Sequence, residues 1–420
     1  MASRRRTIGT SGSSIGDRKS AIGNRIRVLF VSDIGGQLGG AESSLLSLVE
    51  QLDQSRYELH AVLFGEGRFA SLLRGAHVDV AFARIGIISR TKNPLKLFLY
   101  ALYFIHGVLR LAWLIRRRRI GIVHINKNTL VLQAVPAARL ARAAAVWHVR
   151  NPVRNFGRIG AWLVRRCGRL VCVSESIAAP FRAAFPEAAA KLAIVHEGID
   201  PSRYVAAERG AAFRASLGVQ PGERLIGTVG RLTPWKGQDD FLRAAALVAP
   251  KRPDARFLVV GDCVSSPAER RSDEAYRDRL HALAAELGLS DKVRFTGFRE
   301  DVPAVMNALD LFVLPSHEEP FGIVLLEAMA AGRPIVATAA GGVTEIVADA
   351  REALLVPPRD PEAMAAAILR LLSDGSLAAS LGRAARERVA AEFPLWRPAA
   401  RMRQLYEDLA LSRALPSHAR

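Results

Sequence analysis

The stretch LIGTVGRLTPWKG, residues 225–237, leads from an apolar run into a loop that carries two cations. A near-continuous apolar run is typical of a strand that is covered on both faces, as in a parallel sheet. Arg231 and Lys236 follow it, five residues apart. A guanidinium fork and an ammonium at the end of a parallel strand can converge on one diphosphate. The alternative interpretation is two solvated surface cations.

The same alternation of apolar runs and helical stretches extends over most of the chain. Strands are predicted at 28–32, 59–64, 122–125, 146–149, 170–174, 193–196, 225–230, 257–261, 293–296, 311–315, 334–337 and 353–356. Gly and Pro interrupt the pattern at residues 196–201, and a new strand–helix series starts after them. The sequence therefore predicts an α/β fold with two doubly wound, Rossmann-like domains.

Four segments are predicted from this pattern. Residues 1–24 are rich in Ser, Gly and Arg without an apolar run, so we expect a disordered basic tail and no secretory signal. Residues 25–197 and 198–392 are the two predicted domains. Residues 393–420 form a final helical stretch with no strand after it, and such a helix can cross back to the first domain.

The charge of the chain is concentrated in its first half. The net charge is +19, and residues 1–198 hold 30 Lys and Arg against 11 Asp and Glu. A basic domain attracts an anionic partner such as a membrane surface, a nucleic acid or a phosphorylated acceptor. The three cysteines (Cys167, Cys172 and Cys263) have neither a disulfide framework nor zinc spacing, which indicates a reducing, cytoplasmic compartment.

The most apolar segment of the sequence is 95–115. Its length is sufficient to span a bilayer, but it contains Lys96, His106 and Arg110. An Arg at the centre of a membrane costs about 2.5–3.5 kcal/mol, which disfavours a span. The polar residues follow one helical stripe, and Arg residues continue to 119. Two interpretations therefore stay open: a helix packed on the sheet, or a helix at 95–119 lying on an anionic membrane.

Two further stretches carry candidate ligand-binding groups. The loop at 33–42 has four glycines, including Gly39 and Gly40, between a strand and a helix, where backbone can approach a phosphate. A flexible turn is the alternative. Glu319 lies in a predicted strand-to-helix loop, and Glu327 lies about two turns into the helix that follows, so both can face one crevice. Their carboxylates would accept hydrogen bonds from sugar or ribose hydroxyls.

Three motifs together carry a family resemblance. GGAE at 39–42, GRLxxxKG at 230–237 and two glutamates eight residues apart at 319–327 resemble the retaining nucleotide-sugar glycosyltransferases of family 4. The resemblance runs over most of residues 26–412 and implies the GT-B fold, in which two Rossmann-like domains face each other across a cleft. It also implies an enzyme that needs neither a metal nor a cofactor.

The resemblance implies roles for particular residues. Arg231 and Lys236 would bind the donor diphosphate, Glu319 the transferred sugar and Glu327 the ribose. The other implied donor contacts are Gly39, Gly40, Phe298, Phe321, Gly322, Ile323, Gly341 and Gly342. His148 matches a histidine that family members often carry near the reacting sugar. The family's Asp is replaced here by Val149, so a packed histidine is the alternative.

The resemblance implies transfer of a hexose-type sugar from a UDP or GDP donor, with retention of configuration. The expected acceptor is a glycan or a lipid-linked molecule in cell-envelope polysaccharide or glycolipid synthesis, handled by a cytoplasmic enzyme resting on the inner membrane face. Glu197 and Asn126 depart from the family pattern on the acceptor side. Alternatives are a glycoside hydrolase, which leaves Arg231 unexplained, an epimerase of the same fold, and a non-enzymatic anion-binding module. No nucleic-acid motif is present, so we expect no nucleic acid partner.

Overall fold

The computed structural model describes residues 25–32, 39–83, 93–153, 156–205, 207–263 and 270–414. The predicted tail at 1–24 and the glycine-rich loop at 33–38 lie outside the described residues.

The described part of the first half contains a parallel sheet of seven strands in the order β3-β2-β1-β4-β5-β6-β7. The strands are β1 Ile26–Val31, β2 Tyr57–Leu63, β3 Asp79–Phe82, β4 Ile122–Ile125, β5 Ala144–Val149, β6 Arg169–Cys172 and β7 Leu192–Ile194. The sequence did not predict β3. This strand is at the sheet edge and is only partly buried, so it lacks the continuous apolar run of the central strands.

The second half contains, in its described residues, a parallel sheet of six strands in the order β10-β9-β8-β11-β12-β13. The strands are β8 Arg224–Val229, β9 Ala255–Val260, β10 Val293–Phe295, β11 Leu311–Leu314, β12 Ile335–Thr338 and β13 Leu354–Val356. In both sheets the strand order reverses next to the first strand of the series. Ligands bind at such a switch point, beyond the carboxyl ends of the strands.

Helices cover both faces of the two sheets. In the first half they are α1 Gly40–Glu50, α2 Arg68–Gly75, α3 Pro94–Arg117, α4 Val131–Leu140, α5 Gly157–Arg166 and α6 Glu175–Ala184. The others are α7 Ala207–Ser216, α8 Gln238–Val248, α9 Arg270–Glu286, α10 Val302–Ala308, α11 Ile323–Ala330, α12 Val343–Ile346, α13 Pro361–Ser373, α14 Gly375–Glu392 and α15 Trp396–Ala414. The predicted α/β fold of two doubly wound sheets is confirmed.

The last helix, α15, packs on the first sheet although it follows the second in the chain. Met402 and Tyr406 of α15 are buried in the same apolar cluster as residues of β1, α1 and α2. The chain crosses between the halves as two adjacent segments, since the Ile199 amide donates to the Phe393 carbonyl at 2.9 Å. The opposite face of the first sheet is covered by α3, α4, α5 and α6.

Candidate active site

The predicted cation Lys236 and the predicted carboxylate Glu319 meet at the carboxyl edge of the second sheet. Lys236 Nζ lies 2.6 Å from Glu319 Oε2, and the Ser316 hydroxyl donates to the same oxygen at 2.9 Å. The side chains of Lys236 and Glu319 are only 14% and 6% exposed. A buried charge needs a partner of opposite sign, and Lys236 and Glu319 are each other's partner. The Lys236 ammonium and the Glu319 carboxylate therefore lie together, beyond the carboxyl ends of β8 and β11.

Close backbone packing holds these two loops together. Gly237, the N-cap residue just before α8, has φ of +67°, and a Cβ at this residue would lie 2.1 Å from the Pro315 carbonyl oxygen. The His317 amide donates to the Trp235 carbonyl at 2.8 Å. Only glycine fits at position 237, because the left-handed backbone conformation and the close approach to Pro315 both exclude a side chain. The loop 234–237 is thereby fixed against the strand end that carries Glu319.

A second glycine pair supports Glu319 from the other side. Gly341 has φ of +57°, and a Cβ there would lie 2.2 Å from the Glu319 carbonyl oxygen. The Gly342 amide donates to the same carbonyl at 2.8 Å. The two predicted glycines therefore fix the backbone of Glu319, and any side chain at Gly341 would displace it.

The start of α11 lies close to the first half of the chain. Gly322, the N-cap residue of α11, has φ of +106°, and the buried Phe321 ring stacks on His196 with 5.3 Å between ring centroids. A Cβ at Gly40 would lie 3.6 Å from Ile323 Cδ1. Gly39 directly precedes α1, and its amide donates to the Glu42 carboxylate at 3.1 Å. The structure thus brings the predicted glycines 39 and 40 next to α11.

The remaining donor-site candidates surround this group. Arg231 follows β8 and faces Asp273, with 3.8 Å between Nε and Oδ2. Glu327 is partly buried in α11 and accepts a hydrogen bond from the Tyr204 hydroxyl at 2.9 Å. Burial raises the pKa of Glu327 to about 7, against the opposing effect of the Tyr204 hydrogen bond. Phe298 lies in the partly buried turn after β10.

A cavity of about 360 Å³ opens between the two halves, beside Glu319. This volume is within the range of small-molecule sites. The second half contributes Glu318, Glu319, Pro320 and Gly341, and the first half contributes Pro152, Val153, Phe156, Ser176, Ile177 and Pro180. The cavity is therefore a cleft with one polar and one largely apolar wall.

Hydrogen bonds join the two halves across this cleft. The Ser174 hydroxyl donates to the Pro320 carbonyl at 2.6 Å, and the Glu345 carboxylate accepts from the Glu175 and Ser176 amides at 2.8 and 3.1 Å. Burial alone would raise the pKa of Glu345, but hydrogen bonds from His196 and these amides hold it below its usual range. Sequence reasoning missed this contact. Its only signal was an acidic residue just after the 341–342 glycines.

His148 does not line the cavity beside Glu319. It is buried in β5, where its Nδ1 is 3.2 Å from His124 Nε2, and His124 Nδ1 is 2.6 Å from the Tyr406 hydroxyl of α15. Burial lowers the pKa of His148 well below its ordinary value and that of His124 to about 3. His148 borders a different, much smaller pocket, which is also lined by Ser44, Arg150 and Glu197. Its catalytic role stays a prediction.

Asn126 and Glu197, the two departures from the family pattern on the acceptor side, both contact Arg150. The sequence did not single out this arginine. Arg150 Nε donates to Asn126 Oδ1 at 2.9 Å, and its Nη1 pairs with Glu197. Arg150 Nη2 lies 3.3 Å from His148 Nδ1, and the Ser44 hydroxyl donates to Glu197. Arg150 and Glu197 are each 8% exposed. The two unusual residues therefore form one buried network with the arginine.

Among the residues that the structure describes, one acidic and histidine group has the spacing of metal ligands. Asp239, Asp240 and His317 have side-chain atoms within 4.8 Å of one another. His317 Nε2 already lies 2.7 Å from Asp240 Oδ2, and Asp239 accepts from the Tyr276 hydroxyl at 2.8 Å. These groups satisfy one another within the protein.

Two family profiles together match most of the chain. The profile described as Glycosyltransferase Family 4 matches residues 38–203, and the profile described as Glycosyl transferases group 1 matches residues 211–388. The chain belongs to the family 4 glycosyltransferases. The resemblance inferred from the three motifs is therefore confirmed, and each half of this family 4 chain corresponds to one profile.

A curated relative of this family 4 chain is named D-inositol 3-phosphate glycosyltransferase, from Mycobacterium sp. (strain KMS). It is 36% identical over 291 residues, which are 69% of this chain and 61% of the relative. The match thus spans less than two thirds of the relative's length.

Solved structures show the same architecture. HepE from Anabaena in complex with UDP and glucose has a TM-score of 0.76 and 25% identity, over 90% of this chain and 99% of HepE. The HepE complex with UDP-glucose has a TM-score of 0.75 at the same identity, over 92% and 100%. The family 4 chain therefore has the GT-B fold.

Proposed function

We propose that this chain transfers a hexose-type sugar from a nucleoside-diphosphate sugar, with UDP-glucose as the first donor to test and GDP-sugars as the second. The observation that carries the proposal is the buried Lys236–Glu319 pair, 2.6 Å apart, beside a cleft of about 360 Å³. The complexes of HepE with UDP and with UDP-glucose support a uridine donor.

The pair suggests how the site acts on its donor. A diphosphate entering the cleft would take Lys236 as its partner and release the Glu319 carboxylate to accept from a sugar hydroxyl. Lys236 and Arg231 would then stabilise the negative charge that grows on the diphosphate as it leaves, which is the work a divalent metal does elsewhere. We therefore propose a reaction that needs neither a metal nor a cofactor.

We further propose that the anomeric configuration is retained. The bond from the anomeric carbon to the diphosphate oxygen breaks while the acceptor oxygen bonds to the same face of that carbon. The acceptor proton passes to a donor phosphate oxygen, so the protein needs no general base at this position. This route fits the role proposed for Glu319, whose released carboxylate would accept from a sugar hydroxyl of the donor and would not take the acceptor proton.

The proposed acceptor is a glycan or lipid-linked molecule in cell-envelope polysaccharide or glycolipid synthesis, handled by an enzyme on the cytoplasmic face of the membrane. A phosphorylated inositol is the second candidate, because the Mycobacterium relative carries that name. Analysis of the product by NMR distinguishes the two acceptors and separates transfer from epimerisation of the donor.

The deciding experiment is calorimetric titration of UDP, GDP and ADP without divalent metal. One charged hydrogen bond contributes about 1.5–3 kcal/mol, so Lys236→Ala should weaken binding roughly tenfold to over a hundredfold. The control is Lys251→Ala, an exposed lysine just after α8, which should leave affinity unchanged. If none of the three nucleotides binds the wild-type chain, or if the two variants bind equally, the proposal is wrong.

A further inference from the structure

The long helix α3 presents an apolar stripe to solvent. Its members recur at steps of three and four and are largely exposed: Leu95, Phe98, Leu102, Ile105, Leu109 and Trp113. Phe98, Leu109 and Trp113 are 59%, 57% and 56% exposed. A stripe of this length is far more apolar surface than scattered exposed residues give, and such patches mark interaction surfaces.

The opposite stripe of α3 is anchored in the protein. Val108, Leu111 and Ile115 are buried in the core beneath the first sheet. By length and composition, Leu95–Arg117 is the one described helix that could cross a membrane by itself. Crossing would pull these side chains out of the core and leave the apolar surface beneath them exposed to water, which is unfavourable. The anchored half therefore restricts α3 to lying on a surface.

Basic side chains border the exposed apolar stripe. Lys96, Arg110 and Arg117 fall on one line along α3, at steps of fourteen and seven, and all three are exposed. Arg117 also lies over the Trp113 ring, 5.0 Å from its centroid. Apolar residues flanked by cations on the same exposed surface are the signature of a helix in the headgroup region of an anionic bilayer.

The helices next to α3 continue the same chemistry. α3 packs against α4, and α4 packs against α5. Exposed Ile159 and Trp162 of α5 accompany the exposed cations Arg158, Arg165 and Arg166. We call the exposed sides of α3, α4 and α5 the α3–α5 face.

The α3–α5 face is continuous with the cleft. Phe156, which lines the apolar wall of the cavity, immediately precedes α5. An apolar chain entering from a bilayer under α5 would meet this wall first. We infer that the α3–α5 face docks on an anionic lipid bilayer and places the cleft at the headgroup level. The lipid-linked nature of the acceptor rests on the proposed function, whereas the docking surface does not.

Vesicle binding by the full chain tests the inference. We expect binding to vesicles of phosphatidylcholine and phosphatidylglycerol in equal amounts, little binding to phosphatidylcholine alone, and loss of binding at high salt. Brominated lipids should quench part of the tryptophan fluorescence, and Trp113→Phe combined with Trp162→Phe should remove most of that quenching. Equal binding to both vesicle types, or none to either, would overturn the inference.

Exposed positions allow variants that keep the fold. Phe98→Ser, Leu102→Ser and Leu109→Ser combined should lower vesicle affinity at least about tenfold, while the exposed Leu247→Ser in α8 should not. Lys96→Glu with Arg110→Glu should lower it about 30-fold or more, since each cation near the surface contributes about 1 kcal/mol. The charge-matched control is Arg243→Glu with Lys251→Glu, two exposed cations of the second half.

Two further measurements separate the outcomes. Sedimentation of the chain alone tests whether a second copy covers α3. A dimer that the triple serine variant dissociates, together with absent vesicle binding, would replace the bilayer with a protein partner. UDP calorimetry on the same variants should be unchanged. Vesicle binding without nucleotide binding would refute the proposed function and support the docking surface. Nucleotide binding without vesicle binding would refute the docking surface and leave the proposed function standing.

Discussion

Two polar clusters, one in each half of the chain, are built from similar residue types and differ in what their polar groups face. The donor wall, residues 234–237, 315–322 and 341–342, presents the Lys236–Glu319 pair beside an open cavity. The histidine cluster, made of His124, His148, Arg150 and Glu197, lies buried, with α15 covering His124. The comparison teaches that the two clusters differ in the space beside them: the cavity at Glu319 is about 360 Å³, whereas the pocket at His148, Arg150 and Glu197 is about 20 Å³.

The largest effect should come from breaking the histidine cluster. Arg150→Ala leaves the Glu197 carboxylate buried without its ion-pair partner, and removing one member of a buried pair costs about 3–5 kcal/mol. We expect a loss of that size in the free energy of unfolding, measured by urea denaturation. The control is Arg165→Ala, whose pair with Glu187 is exposed and should contribute about 0–1 kcal/mol. Equal losses in both variants would mean that the cluster is not a structural unit.

The donor wall can be broken through its backbone. Gly341→Ala adds left-handed strain of about 1–2 kcal/mol and a Cβ that would clash with the Glu319 carbonyl. We expect UDP affinity to fall at least about tenfold, because the displaced Glu319 no longer positions Lys236. Gly288→Ala is the matched control: its φ is +68°, but a Cβ there meets nothing within 4 Å. If both variants lose UDP affinity equally, strain and not the donor wall is responsible.

Acid should destabilise the histidine cluster as pH falls below about 6.5. His124 has a pKa of about 3 in the folded chain and about 6.5 when unfolded, so the unfolded state binds more protons between these values. Its contribution to stability is complete above pH 6.5 and is lost as pH falls towards 3. The expected slope is about 1.4 kcal/mol per pH unit. His124→Gln should flatten the slope by one proton, whereas the exposed His77→Asn should leave it unchanged.

The sequence predicted the donor wall better than the histidine cluster, for a physical reason. The wall is made of short loops in which spacing determines contact, so Lys236, Glu319 and the glycines at 341–342 could be placed from motifs alone. The histidine cluster depends on α15, which lies more than 200 residues further along the chain than His148. No local pattern reveals that Tyr406 covers His124. For the same reason β3, an edge strand without a full apolar run, escaped prediction.

The smallest effect sharpens the comparison from inside the donor site. Burial raises the pKa of Glu327 to about 7, and a ribose hydroxyl donates best to an ionised carboxylate. UDP affinity should therefore rise with pH, and be about tenfold weaker at pH 6 than at pH 8, because about a tenth of Glu327 is ionised at pH 6. The Glu327→Gln side chain does not titrate. The UDP affinity of this variant should therefore change with pH only as far as the phosphate of UDP itself titrates. If wild type and variant show the same pH profile, Glu327 does not hold the ribose. The Tyr204 hydroxyl, 2.9 Å from its carboxylate, is then its structural partner.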